Sequence, residues 1–347
     1  MVVTLADLRY RYRQFLIAVL GAGLVMAMAL LLAGLVGGFT AETNQTVGGV
    51  GADRWVLSTG SSGRIAAVGL FPLSEAAVIG RLPGVVRADP LVLLPGEVAV
   101  VGGKTITVNI MGVRTGGLGD PVVTSGRPLT AAGQVVVDPR SGAGIGTTLA
   151  VGGRRFRVVG QVDDRTLIAG GPMVYMGLAD SQAVALEGRQ LVTAVVTRGA
   201  PAHTPPGYLV LTAAAVEQRN LAALSSAVSS INNTKILMWV VAAVIIAALL
   251  YVSALQRVGD FAVLKALGSS SLALLGSLAL ESVLVSLAAA AFGAAICHFM
   301  VGLFAQPLAI PSSAFVTLPL VAVAVGLLSS LVALRRATGA DPAAAFG

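Results

Sequence analysis

Residues 256–271 read QRVGDFAVLKALGSSS, and this short charged insert lies between two stretches of membrane length. Upstream, residues 236–255 are almost wholly apolar; downstream, residues 272–334 form one long apolar tract. A helix crosses a bilayer core with about 20 apolar residues, so that tract is too long for a single span. Pro307 and Pro311 in FAQPLAIPSS (304–313) interrupt it, because a proline ring clashes with the preceding turn and offers no N–H. A further apolar segment, 15–38, lies near the start of the chain. Its core of about 24 residues exceeds the roughly 7–15 of a signal-peptide core, and no convincing small-residue cleavage site follows, so it reads as a retained anchor. Four spanning helices are expected, over 15–38, 236–255, 272–303 and 314–334.

Composition points the same way. The chain has 347 residues, is 56% hydrophobic and 11% charged, and has a mean hydropathy of +0.87. A soluble domain carries about 25% charged residues. Orientation follows from Lys and Arg in the short flanks, which favour the cytoplasmic side. Arg9, Arg11 and Arg13 precede the first span, Arg257 and Lys265 lie in the insert, and Arg335 and Arg336 follow the last span. The segment 304–313 has no charge. A multi-pass protein of the plasma membrane is expected, with the N-terminal segment 1–14, the insert and the tail 335–347 all cytoplasmic. Residues 40–211 are then an extracytoplasmic domain. The net charge of +7 is scattered and partly membrane-flanking, which fits contact with lipid headgroups and argues against a nucleic-acid partner. Cys297 is the only cysteine, so no intrachain disulfide can form, and it reads as a small apolar filler.

The outer segment is a succession of short Val-rich runs bounded by Gly, Pro, Asp or Ser, among them EVAVVGG, KTITVNIMGV and GQVVVDP. SEAAVIG (74–80), capped by Ser74, and DSQAVALEG and TAAAVEQRN are expected to be helical, which makes the domain α+β with strands dominating. Its chemistry-like motifs fail on spacing. GGKT (102–105) lacks the glycine five residues earlier that a P-loop needs and reads as a hairpin turn. STGSSG (58–63) is a loop without the spacing of a hydrolase elbow. His203 and His298 are isolated, so no metal site is expected. Enzymatic chemistry in this chain is not expected, nor is a cofactor of its own.

Between Thr212 and Gln256 there is neither Pro nor Gly. Leu221, Leu224, Val228 and Ile231 recur at 3, 4 and 3 residues, the spacing of a helix packed on one partner helix. A stalk helix over 212–235 running into the second span is expected; a core-facing stripe broken near Asn232–Asn233 is the other reading. In the insert, Asp260 can start a short helix and Gly268 can end it. At 100° per residue, Phe261, Val263, Leu264 and Leu267 fill one arc, opposite Ala262, Lys265 and Ala266. Glu281, beside Ser282, lies about ten residues into the third span, where a carboxylate is costly unless neutralised or paired.

QRVGDFAVLKALGSS, LALES (278–282) and the terminal RRATGADPAAAF closely resemble the FtsX-like permease module of MacB-type ABC transporters. GGVGADRWVLSTGSSG (48–63) looks like the start of the MacB-type extracytoplasmic domain, nearest the DevC subgroup. The resemblance implies an α-helical membrane protein with four transmembrane helices and an α+β MacB-like domain inserted between the first and second. It implies a homodimer with two cytosolic ABC ATP-binding subunits, which bind the ATP and Mg, and a coupling helix at 256–271. Gln256, Arg257, Asp260, Phe261, Lys265, Ala266, Leu267 and Gly268 match that coupling segment, and Leu264 lies within it. MacB itself carries its ATPase on the same chain, whereas here about 14 residues precede the first span, so a separate ATPase is expected. The implied activity is mechanical: ATP binding moves the outer domain to export or handle a lipid, peptide or other amphipathic cargo, with or without an extracytoplasmic adaptor. Two other readings stay open, an FtsX-like regulator that activates a cell-wall hydrolase and a membrane receptor without an ATPase.

Overall fold

The computed structural model describes residues 12–65, 67, 69–163, 165–167, 170–256, 271–304 and 308–337. It divides into two compact units, one made by the long helices and one spanning Phe39–Ser226. In chain order the helices are α1 (Tyr12–Gly48), α2 (Glu75–Gly80), α3 (Leu178–Ala185), α4 (Ala213–Ala223), α5 (Ser225–Leu255), α6 (Ser271–Val301) and α7 (Ser312–Ala337). The strands are β1 (Arg54–Ser58), β2 (Phe71–Pro72), β3 (Val85–Val101), β4 (Lys104–Val113), β5 (Ser125–Gly126), β6 (Gln134–Val137), β7 (Thr148–Val151), β8 (Arg154–Gln161), β9 (Thr166–Leu167), β10 (Gly171–Gly177), β11 (Leu191–Val192), β12 (Ala194–Gly199) and β13 (Tyr208–Leu211).

Among the described residues, three helices are long and apolar enough to cross a membrane: α1 over Phe15–Gly48, α5 over Ser225–Leu249 and α6 over Ala279–Val301. The expected fourth span, 314–334, falls on α7, a helix of 26 residues whose apolar stretch, Ser312–Leu328, is shorter than those three. These helices pack small residues against one another. Ala22, Met26 and Leu30 of α1, Ala242 and Ile246 of α5, Ala289 and Cys297 of α6, and Ala322 and Val325 of α7 form one apolar core.

Two boundaries differ from the sequence reading. The first helix does not stop at Gly38 but continues to Gly48. Its last turns are polar, and contacts within the β-rich unit hold them helical. Glu42 accepts a hydrogen bond from the Gly170 amide at 2.7 Å, Thr46 donates to the Thr166 carbonyl at 3.3 Å, and the Arg165 guanidinium donates to the Gln45 carbonyl. The stalk is also not one helix from 212 to 255. It stops at Leu224, whose amide turns back to the carbonyls of Leu221 and Ala222, and α5 begins at Ser225. The break falls at neither a glycine nor a proline, and not at Asn232–Asn233. The run Ser225–Ser226, with Ser229–Ser230 just beyond, supplies weak helix formers whose hydroxyls compete for backbone groups.

In the β-rich unit, β3 pairs with β4, β4 with β10, β10 with β6, β6 with β8, β8 with β7, and β7 with β3 again. Those six ladders close a ring, and strand alternation fills its interior. Val108, Ile110, Val135, Val137, Leu149, Val151, Phe156, Val158, Val174 and Met176 point inward as one buried cluster. Two of the ring's hairpins turn on glycine pairs with positive φ at both central residues, Gly102–Gly103 and Gly152–Gly153. That conformation matches the twist of the flanking strands and is strained for residues with a Cβ. The GGKT stretch is therefore a hairpin turn, as its spacing predicts. Outward residues of the ring, including Met111, Val136, Val159 and Tyr175, form a second core with Trp55 and Leu57 of β1, Val196 of β12 and Val47 of α1. The long strand β3 continues past the ring to pair with β12, which pairs with β1, and β1 with β13. A third cluster, with Val56, Phe71, Ile79 and Val92, covers the far side of this extension.

Two expected loop features come out differently. Ser74 precedes α2, but its side chain makes no capping bond and its backbone is already helical. STGSSG is not an open loop: Thr59–Ser61 is a 3-10 turn capped by the Ser58 hydroxyl, and Ser61 is buried.

Tyr175 is buried in the second core, and burial, opposed by the Arg165 charge and reinforced by Asp138, pushes its phenol up to about 12 from the usual 10. The folded state holds that proton more tightly than the unfolded chain does. Its stabilising contribution is complete below pH 10 and is lost as pH rises through about 12. A shift of that size corresponds to about 2–3 kcal/mol. Alkaline unfolding of the full chain, followed by Trp fluorescence in detergent, should therefore steepen between pH 10 and 12, and Tyr175→Phe should flatten that limb. An unchanged slope in the Phe variant would show that other groups set it.

Candidate functional site

Glu281 and Ser282 lie on the same buried stretch of α6, at 1% and 0% exposure. Ser282 Oγ donates to its own helix at the Ala279 carbonyl (2.9 Å) and reaches the Gly326 carbonyl of α7 at 2.6 Å. A serine can do this only where the neighbouring backbone comes close, and Gly326 allows that approach. A Cβ built there would stand 3.0 Å from the Ser282 backbone and from Ser286 Oγ. Ser286 is itself fully buried, and its hydroxyl has no hydrogen-bond partner. About three turns along the same face of α6, Gly293 meets α1. A Cβ on Gly293 would fall 2.7 Å from the Gly23 carbonyl oxygen and 3.0 Å from the Ala27 amide nitrogen. Farther along α1, a Cβ on Gly37 would overlap the Ala309 carbonyl, and the Ala309 amide donates to Gly34 at 3.0 Å. α6 is therefore in close backbone contact with α7 at one level and with α1 at another, through glycines, with a carboxylate and two serines along its buried stretch.

The signal for these contacts is present in the sequence as pairs of small residues. Gly23-x-x-x-Ala27, Ala289-x-x-x-Gly293, Ser282-x-x-x-Ser286 and Ala322-x-x-x-Gly326 each place small residues one turn apart, the spacing by which membrane helices bring their backbones together. Glu281 stood out because a charge in an apolar run is conspicuous; the glycines were hidden by their neutrality.

Of the insert residues, Gln256 is described. It is exposed just past α5, and its amide donates to the Val252 carbonyl at 3.2 Å. Arg257, Asp260, Phe261, Leu264, Lys265, Ala266, Leu267 and Gly268 lie outside the described residues. Leu221, Leu224, Val228 and Ile231 are all half-buried, while Ala222, Ala223, Ala227, Ser229 and Ser230 between them are exposed. The stripe is therefore real as a one-sided feature, although the cap at Leu224 divides it between α4 and α5.

Residues 235–342 match the FtsX-like permease C-terminal family, a segment that takes in most of α5, the insert, α6 and α7. Similarity to uncharacterized ABC transporter permeases extends over nearly the whole chain. One from Mycobacterium bovis and one from Mycobacterium tuberculosis are each 36% identical over 343 residues, covering 99% of this chain and 98% of the relative. A second from M. tuberculosis is 34% identical over the same length. Among solved structures, the periplasmic region of MacB from Actinobacillus actinomycetemcomitans aligns at 15% identity and a TM-score of 0.38, over 51% of this chain and 96% of that region. The extracellular domain of the transporter YknZ from Gram-positive bacteria aligns at 12% identity and a TM-score of 0.35, over 46% and 99%. End-to-end identity with these permeases, together with the FtsX-like match across the last helices, shows that the chain belongs to the FtsX-like ABC transporter permeases.

Proposed function

We propose that this permease couples ATP hydrolysis in a separate cytosolic ATP-binding subunit to motion of its β-rich unit, which lies outside the plasma membrane and handles a lipid, peptide or other amphipathic cargo. The observation that carries the reading is the full-length match to ABC transporter permeases, in which the matched C-terminal segment encloses the insert at 256–271. Two copies of the chain and two ATP-binding subunits make the working complex. The insert is the contact with the ATPase, and four spans place both termini in the cytoplasm. The ATP and Mg belong to the partner subunit. The close glycine contacts of α6 with α1 and α7 support a mechanical role, because tightly packed helices move as a body rather than bending one by one.

Topology and partnership are testable together. In a Cys297→Ala background, Val122→Cys, at a position 83% exposed, should react with an impermeant thiol reagent on intact cells. Ser270→Cys should react only after lysis, and an ABC ATP-binding subunit should co-purify with the chain in mild detergent. Labelling in the reverse order would overturn the orientation, and purification free of any ATPase would overturn the coupling.

A further inference from the structure

The outer wall of the six-stranded ring differs around its circumference. Most of it is covered by the second core, but near the two glycine turns, where β3, β4, β7 and β8 meet, it is open. Val98 and Val100 of β3 are 59% and 40% exposed there. Their ladder partners Thr107 and Thr105 are exposed as well. Val100 pairs on its other side with Ala150, which pairs with Arg155, and Thr148 pairs with Arg157. Directly paired residues share a face, so valines, threonines and the two exposed arginines form one continuous surface.

Charge singles out the same region. Residues 95–161 hold seven basic and three acidic residues, whereas the remainder of 40–234 holds eight and nine. None of the three acids stands on the open face. Glu97 pairs with inward-pointing Val108, Asp120 lies in a loop and accepts from the Gly116 amide, and Asp138 is buried, accepting from the Arg140 and Arg165 amides.

We propose that this open wall is a docking surface for an acidic segment of a partner protein with apolar residues at its centre. A second copy of the chain would oppose like charges on this face, which disfavours self-association through it. A bare polyanion would use the arginines and leave two exposed valines facing water. Arg155 and Arg157 stand about 7 Å apart along the strand, and each guanidinium can bind a carboxylate through a fork of N–H groups. An apolar centre with arginine beside it is the composition of protein interfaces. The proposal rests on the functional reading above only for which side of the membrane the partner occupies.

The test is a photo-crosslinking amino acid at Thr107 of the full-length chain in its own membrane, with the crosslinked segment mapped by mass spectrometry. The expected result is a single protein joined through an acidic segment. Arg155→Glu with Arg157→Glu should lower the yield by at least about tenfold, since opposed like charges disfavour the contact strongly. Reversing the partner's acids to lysine should restore it. Both arginines are exposed, so the thermal midpoint of the double variant should be unchanged, and the milder Arg155→Gln with Arg157→Gln should lose an intermediate fraction. No crosslink, crosslinks to lipid or to a second copy, a non-acidic segment, or a yield indifferent to charge reversal would each overturn the proposal. ATPase co-elution and Val122→Cys labelling are read in the same strains, so a failure of the coupling or orientation shows up separately.

Discussion

Leu264→Asp and Ala266→Trp are each expected to abolish co-elution of the ATP-binding subunit and the turnover it supports. If the insert docks in a cleft of the ATPase, its apolar arc must stay apolar and its small side small. An aspartate at Leu264 would bury an unpaired charge, and stranding a charge in this way costs about 3 kcal/mol or more, which is over a hundredfold in affinity. A tryptophan at Ala266 adds a large ring where a methyl group stood, and packed interfaces resist such additions. Both changes lie between spans rather than within them, so membrane insertion and the thermal midpoint should match the parent chain. Lys265→Ala should be milder, near the 1 kcal/mol or so that one basic residue contributes at a lipid surface. Full coupled turnover in both of the first two variants would reduce the insert to a connecting loop.

Gly293→Leu is expected to have the largest effect on the helix bundle. The atoms nearest a new Cβ are the Gly23 carbonyl at 2.7 Å and the Ala27 amide at 3.0 Å, both backbone, so no rotamer change can relieve the clash. α1 and α6 would have to separate, opening the core around Ala22, Met26 and Ala289. Overpacking of this kind costs about 1–3 kcal/mol and more where backbone must move. The measurement is unfolding of the full chain in detergent, beside Gly276→Leu on the same helix, where a Cβ meets nothing within 4 Å. Equal midpoints for the two variants would show that the α1–α6 contact is not tight.

Local signals in the sequence carry over into the fold. The apolar runs of α1, α5 and α6, the glycine-pair turn before Lys104 and the 3, 4, 3 rhythm of Leu221 to Ile231 each depend on neighbours within a few residues, and each is visible in the fold. What depended on distant partners was not visible. The polar residues 40–48 look like a loop until Glu42 meets Gly170 and Thr46 meets Thr166, more than a hundred positions away. Closure of the ring requires β4 to lie parallel to β10 and β6 parallel to β8, and parallel neighbours cannot be joined by the short turns that announce a hairpin. The break at Leu224 has no proline or glycine to mark it. Within the candidate site, Glu281 was conspicuous, whereas Gly293 and Gly326 matter through the side chains they lack.

The closed ring also bears on how this domain escapes misassembly. Runs such as GQVVV and EVAVV are rich in β-branched residues and carry little charge, the composition of segments that add to one another edge to edge. An open sheet would leave two of its strands with a row of unmatched amides and carbonyls available to the next molecule. In the ring every one of the six strands has a neighbour on both sides, so that row does not exist once folding is complete. For the six ring strands the hazard is confined to the interval before the ring closes. Substitutions that slow that closure should promote aggregation during synthesis while leaving the finished protein as soluble in detergent as before.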